Sequence, residues 1–312
     1  MPAYGWLTAA MVPEATLRSW LERHWRLGGA QLSHHGGGMN SETWFVDRDG
    51  RRWVLKSVAP TAVAQFTGGL AIADRLQGAG VPAGAPVPTV DGRTVVTAGG
   101  RPLALLTWVP GVALTGEGRV EQRVIGSTLG RVHRALATVR VRDAERFHWV
   151  DPTAGHLGVR DWVRPAVTAA VRDLDELAPE TLSWGLLHTD PAPEAFRWDR
   201  TAGVCGVIDW SVALTGPLLY DLASAVMYVG GPDRGGELVE AYLRGGALDR
   251  AEVDRGLRPM LRFRWAVQAD YFARRIVADD RTGIDGPAEN DKGLADARRR
   301  LVASGPGDEG WA

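Results

Sequence analysis

The sequence predicts an α+β chain in two lobes, a small N-terminal lobe built on an antiparallel sheet and a larger, mostly helical C-terminal lobe. Three observations carry this. Up to about residue 108, short apolar runs are separated by turn residues, the pattern of hairpins. Beyond that point apolar residues recur at helical spacing. Late in the chain two apolar runs each end in an acid, Leu186-Leu187-His188-Thr189-Asp190 and Val207-Ile208-Asp209-Trp210, as buried strands do when they deliver carboxylates to a cleft. The expected division is 1–108 for the N-terminal lobe and 109–312 for the C-terminal lobe, with a polar tail from about residue 280.

Residues 16–25 read as a short amphipathic helix. Gly36-Gly37-Gly38 forms a loop, followed by a strand at 42–48, a hairpin turn at Asp49-Gly50 and a return strand at 51–57. Residues 63–77 are helical, and Gly80-Val81-Pro82 ends that helix. Strands at 94–97 and 102–108 surround Gly99-Gly100, and Val109-Pro110-Gly111 is a connector. Residues 120–138 then place Val124, Leu129, Val132 and Leu136 at helical spacing. Residues 139–160 are irregular. Helices follow at 162–177, 218–229, 236–243 and 249–278, with Pro259 expected to break or kink the last. A short helix at 294–302 closes the pattern, and no internal repeat is present.

Composition narrows the partners. The 312 residues carry 36 basic and 37 acidic side chains, net charge −1, so no basic field for nucleic acid or a membrane surface is expected. Lys56 and Lys292 are the only lysines, which makes a lysine at the end of a strand informative. Cys205 is the single cysteine; it excludes an intramolecular disulfide and reads as a buried, inert thiol. With no secretory signal pattern and no apolar run long enough to span a bilayer, a soluble cytoplasmic protein is expected.

The two strand-end acids suit two jobs. One carboxylate accepts a proton from a hydroxyl, and the other holds a divalent cation, the pairing that phosphoryl transfer from a nucleotide requires. Lys56 ends the run Trp53-Val54-Leu55-Lys56, where a rigid strand would hold a positive charge against phosphates. Glycines such as Gly37 and Gly38 let backbone amides approach phosphates, and Ser41 adds a hydroxyl.

Three motifs in order, His188-Thr189-Asp190-Pro191-Ala192-Pro193-Glu194-Ala195, Ile208-Asp209-Trp210-Ser211 and Tyr220-Asp221-Leu222-Ala223, resemble the aminoglycoside phosphotransferase family, which shares its fold with choline kinases and protein kinases. That family reads H-G-D-x-x-x-x-N, then I-D-W/F, then an aromatic-D-L-A helix. The resemblance runs from about Leu32 to about Ile276. It implies a two-lobe protein-kinase-like fold, ATP and Mg²⁺ as cofactors, and an alcohol group as acceptor. It casts Asp190 as the base, Asp209 as the metal ligand and Lys56 as the phosphate lysine. Thr107 and Val109 would meet adenine through backbone carbonyl and amide. His133, His188 and Asp221 take structural roles.

The sequence departs from the family in two places. The helix glutamate that pairs with the strand lysine falls at Gly69, with Gln65 four residues earlier on the same face. The metal-binding asparagine falls at Ala195, and the adjacent Glu194 offers a hard oxygen ligand in its place. Arg264, Gln268 and Tyr271, with Arg262, Asp270 and Arg274, concentrate on one C-terminal helix and are expected to line the acceptor site. Arginines beside aromatics argue against a polycationic acceptor, although Asp233, Glu237 and Asp270 are acids that could meet one. The leading expectation is an ATP-dependent O-phosphotransferase acting on a small molecule or natural product, in its biosynthesis or in resistance. The alternatives are a peptide Ser/Thr kinase in a lanthipeptide-like pathway, working with a partner enzyme, and a pseudokinase-like binding module.

Overall fold

Short apolar runs separated by turn residues form one antiparallel sheet in the first third of the chain, beside two helices. In the computed structural model, which describes residues 12–35, 41–140, 145–147, 150–284 and 286–302, strands β1 (Gln31–His35), β2 (Glu42–Arg48), β3 (Arg51–Ser57), β4 (Val96–Ala98) and β5 (Arg101–Thr107) lie in the order β1-β2-β3-β5-β4. The β2–β3 turn is Asp49-Gly50, both at positive φ (51° and 73°), the twist a two-residue hairpin demands. Register then sorts the two faces. Trp44, Leu55 and Leu105 align across three strands and bury against Leu17, Leu21 and Trp25 of helix α1 (Glu14–Trp25). Thr43, Lys56 and Ala104 align on the opposite face, and Ala104 packs with Phe66 and Leu70 of α2 (Val63–Gly78).

The chain beyond Thr107 is mostly helical, with short strands at the cleft. In order these are β6 (Val112–Ala113), α3 (Arg119–Leu136), β7 (Glu145–Arg146), α4 (Val163–Glu176), β8 (Trp184–Leu187), β9 (Phe196–Asp199), β10 (Val204–Val207), β11 (Leu214–Pro217), α5 (Leu218–Tyr228), α6 (Gly236–Arg244), α7 (Arg250–Val277) and α8 (Ala288–Leu301). Two three-stranded sheets, β10-β9-β6 and β7-β11-β8, present the ends of β8 and β10 toward the first lobe. The largest apolar core joins α3, α4, α5 and α7, and it also takes in Ile72, Ala73 and Leu76 of α2. Helix α2 is thus shared between the two halves.

Two expectations need correction. Of the two outcomes expected at Pro259, the break does not occur, since α7 runs uninterrupted for 28 residues. Proline removes one i→i−4 bond, but Met260, Leu261 and Phe263 are buried immediately after it and the helix packs along α4, α5 and α8. The last helix is also longer than its apolar pattern predicts. Leu294, Ala297 and Leu301 bury one face, and Asn290 accepts from the buried Arg275 of α7 (Nε to Oδ1, 2.9 Å), anchoring the start of the helix. Cys205 is buried as expected, and burial pushes its thiol pKa up. Among the described residues no helix is long and apolar enough to cross a membrane.

Candidate active site

A buried acid builds the site. Asp221, in the first turn of α5, is 0% exposed. Its Oδ2 accepts from the backbone N–H of His188 (2.7 Å) and from His133 Nε2 (3.0 Å), and its Oδ1 accepts from the N–H of Thr189 (2.7 Å). The Tyr242 hydroxyl meets the other nitrogen of His133 at 2.7 Å. A fully buried carboxylate is tolerable only with such a set of donors. Asp221 and His133 therefore hold the loop that carries Asp190, the structural roles the sequence suggested.

That loop is strained at Thr189, a β-branched residue at φ 73°, where the family pattern has glycine. The left-handed region costs a β-branched residue about 1–3 kcal/mol. Besides its bond to Asp221, Thr189 donates its hydroxyl to Val212 O (3.0 Å), which helps to fix the conformation. His188 donates from Nε2 to Ile208 O (2.8 Å) and packs edge-on against Trp210. The Asp190 loop and the Asp209 loop are thereby joined directly.

Asp190 emerges with its side chain half exposed. Its Oδ1 accepts from the Tyr228 hydroxyl and from Arg264 (3.1 Å). Arg264 is itself buried. Its Nε donates to Ser224 Oγ (3.0 Å), and its guanidinium lies 5.7 Å from the Tyr228 ring centre. Enclosure of the Tyr228 hydroxyl, with the Asp190 carboxylate beside it, pushes that phenol well above its ordinary pKa despite the nearby Arg264 cation. Tyr228 and Ser224 were missed in the sequence. Their signal was present: 221, 224 and 228 share one face of a helix whose first member is the motif aspartate.

Across the cleft, Lys56 Nζ lies 2.6 Å from Asp209 Oδ1. Asp209 adopts a left-handed backbone (φ 74°, ψ 57°) just after β10, and Ser211 donates to the same oxygen at 2.9 Å. Partial desolvation raises the pKa of the half-exposed Asp209 carboxyl, but the Lys56 ammonium and the hydrogen bonds from Lys56 and Ser211 outweigh it and hold the group down at about 2. The partner of Lys56 is thus Asp209, not Gln65 or any other residue of α2. Gly69 explains the missing helix acid. A Cβ there would lie 2.0 Å from the carbonyl oxygen of Trp210, because α2 packs its backbone directly on the turn after Asp209.

The remaining expected residues are placed as follows. Gly37 and Gly38 lie outside the described residues. Ser41 is half-buried at the entry to β2. Thr107 ends β5 with its amide bonded to Ala85 O (2.9 Å), and Val109 is buried just beyond it. Ala195 is buried, with its carbonyl accepting from Ile208 N (2.9 Å), whereas Glu194 is exposed on the turn at Pro193–Ala195. Among the described residues no three His, Cys, Asp or Glu side chains cluster as a metal site. On α7, Arg264, expected to line the acceptor site, donates instead to Asp190, and Tyr271 receives Arg275 at 3.3 Å. Gln268, also expected at the acceptor site, is half-buried. It donates to Gly293 O at 3.1 Å, because α8 covers that face of α7. Two of the three acids that might have met a polycation are engaged, Asp270 by His156 and Arg274 (2.6 Å each) and Glu237 by Arg123 (3.0 Å), while Asp233 is exposed.

A small lobe of antiparallel strands holding a lysine, above a helical lobe offering two loop carboxylates, is the two-lobed protein-kinase-like fold. The chain belongs to the phosphotransferase enzyme family (APH), whose model matches residues 31–259. It is similar to a homoserine kinase of Azorhizobium caulinodans, 28% identical over 211 residues, a match spanning 62% of this chain and 64% of that relative. Among solved structures, it resembles an amicoumacin kinase in complex with AMP-PNP and Ca²⁺ (TM-score 0.72, 17% identity, 95% of each chain). It also resembles a microcompartment-associated aminopropanol kinase (TM-score 0.68, 18% identity, 93% of this chain and 98% of that one).

Proposed function

We propose that this protein is an ATP-dependent O-phosphotransferase that passes the γ-phosphoryl group to a hydroxyl of a small molecule. The reading rests on one convergence. Lys56 on the sheet reaches Asp209 at 2.6 Å, and the His188–Ile208 bond (2.8 Å) locks the Asp190 loop to the Asp209 loop. Base, phosphate lysine and metal carboxylate thus belong to one assembly, on a fold whose family name is phosphotransferase.

In this reading Asp190 orients the acceptor hydroxyl and takes its proton as the oxygen bonds to phosphorus. The bond from phosphorus to the β–γ bridging oxygen breaks, and ADP leaves. Lys56 exchanges Asp209 for the α- and β-phosphates. The Thr107 carbonyl and Val109 amide receive adenine, and Ser41 borders the phosphates. Mg²⁺ commonly binds one or two carboxylates plus substrate phosphates, which suits a site with a single well-placed acid, Asp209. There it would neutralise charge on the phosphate oxygens. Exposed Glu194 is the side chain that would reach a second cation, in place of the asparagine that Ala195 replaces.

The homoserine kinase likeness makes hydroxy amino acids the first acceptors to try, and the paired acids of α6 and α7 argue against polycations. Ser- and Thr-containing peptides, with or without a partner enzyme, belong in the same panel. The test is ATP consumption across that panel in wild type and Asp190→Asn. The expected result is acceptor-dependent turnover that falls roughly 10²–10⁴-fold in the variant, with nucleotide affinity nearly unchanged. Wild-type turnover in Asp190→Asn would remove the base assignment. ATP binding without turnover on any acceptor would favour the binding-module reading.

A further inference from the structure

The partners of Asp190 are unusual in one respect: they all fall on a single oxygen. Oδ1 accepts from the Tyr228 hydroxyl and from Arg264 at 3.1 Å, and no described hydrogen bond reaches Oδ2. Half of the side chain is open to solvent. The Tyr228 side chain is partly exposed, whereas Arg264 is anchored from behind. Tyr228 ends α5, and Arg264 sits buried on α7, held through Nε by Ser224 Oγ at 3.0 Å. Arg264 also reaches the Tyr228 hydroxyl at 3.3 Å, so the two donors and the carboxylate form a closed triangle. A carboxylate anchored by one oxygen cannot rotate freely, and it presents the other in a fixed direction.

We propose that Tyr228 and Arg264 are positioning residues that hold Asp190 by Oδ1 and leave Oδ2 to receive the acceptor's proton. The proposal rests on Asp190 being the base. Each part of the triangle has a physical task. The phenol stays protonated, so it remains a donor to the carboxylate at any pH the enzyme meets. The guanidinium is permanently charged and planar, which suits a contact that must hold direction as well as distance. The position of Oδ2 matters because a proton acceptor must lie within hydrogen-bond reach of the hydroxyl. A misplacement of about 1 Å can cost on the order of 10² in rate. This chain has particular need of such a clamp. Its base follows a strained threonine at φ 73°, and the loop leads into Ala195 where the family has a metal-held asparagine. Ala195 ties the loop only through its carbonyl to Ile208 N, and the side-chain donors to the base come from the helices.

The test is a double-mutant cycle on single-turnover rate at saturating ATP. Tyr228→Phe alone should lower the rate roughly 10–100-fold, with ATP affinity within about twofold and thermal stability little changed. In an Asp190→Asn background the same substitution should change the residual rate by less than about twofold, because its effect passes through the base. Arg264→Gln should lower the rate at least as far, and Arg264→Lys should recover part of it by restoring a cation. An unchanged rate in Tyr228→Phe would overturn the proposal. So would equal effects of Tyr228→Phe in the two backgrounds, which would indicate an action independent of Asp190. If Arg264→Gln does not fold, the Tyr228 cycle still decides. If Asp190→Asn itself keeps wild-type turnover, the base assignment falls first, which separates that failure from this one.

Discussion

On the proposed assignment of Asp190 as base and of Lys56 and Asp209 as nucleotide contacts, the two ends of the cleft are built differently: at the acceptor end, Asp190 is held by Tyr228 and by a buried arginine, and its loop hangs from the fully buried Asp221. At the nucleotide end, Lys56 and Asp209 have mainly one another: one 2.6 Å ion pair whose acid is over half exposed, plus one hydroxyl from Ser211. The difference has a physical logic. Nucleotide phosphates and a cation bring their own charges and can complete a sparse site on arrival. An acceptor hydroxyl brings only a weak dipole, so the group that must find its proton has to be aimed beforehand. Preorganisation is therefore concentrated where the ligand supplies least.

The largest effect should come from the buried root of the acceptor end. Asp221→Ala removes the acceptor for three hydrogen bonds from His188, Thr189 and His133 in a site without water access. Breaking one partner out of such a buried network costs about 3–5 kcal/mol. The expected outcome is a protein that is destabilised throughout, read by thermal or denaturant unfolding, with loss of activity following loss of structure. A stable Asp221→Ala protein with only a catalytic defect would break the comparison, because the acceptor end would then not be rooted in the core.

Next is the packing of α2 behind the nucleotide end. Gly69→Ala should destabilise by about 1–3 kcal/mol, since its Cβ would meet the Trp210 carbonyl oxygen at 2.0 Å and the obstacle is backbone. Gly69→Glu should be worse and should not restore the acid partner that related kinases place on this helix. Unfolding curves check the first. A folded Gly69→Glu protein with improved nucleotide turnover would mean that α2 can move out and that the Lys56–Asp209 pair is only one of two arrangements.

Much of this was legible in the sequence, and the misses have a common cause. Strands at 42–48 and 51–57 were readable because short apolar runs and the Asp49-Gly50 turn are local signals. Asp190, Asp209 and Lys56 were readable because each ends an apolar run. Pro259 misled because a local rule was overridden by burial along α7. The cover over Gln268 was hidden because nothing in its neighbourhood announces α8. The Asp190–Arg264 and Asp190–Tyr228 contacts span 74 and 38 residues, so no window on the chain displays them. Gly69 looked like a missing glutamate, and only the packing shows that no side chain fits there.

The smallest effect should be the nucleotide-end ion pair itself. Lys56→Met should raise the ATP requirement and lower the rate, because a strand-fixed charge no longer opposes the phosphates, yet it should cost the free protein little stability. Exposed pairs contribute about 0–1 kcal/mol, and the Asp209 side chain is over half exposed. The pH dependence fixes the sign. Lys56 and Ser211 hold the Asp209 carboxyl down at about 2, below its unfolded value near 3.9. The contribution of the pair is then fully present above about pH 4 and is lost as pH falls through about 2. Wild type and Lys56→Met should accordingly differ slightly in melting temperature at neutral pH and converge in strong acid, while the wild type shows no change between pH 5 and 8 from this group. A large stability loss in Lys56→Met at neutral pH would show that the nucleotide end is as deeply built as the acceptor end. Without a helix acid to hold Lys56 in place, the sequence and the packing of Gly69 point the other way: this lysine waits on one exposed carboxylate until phosphates replace it.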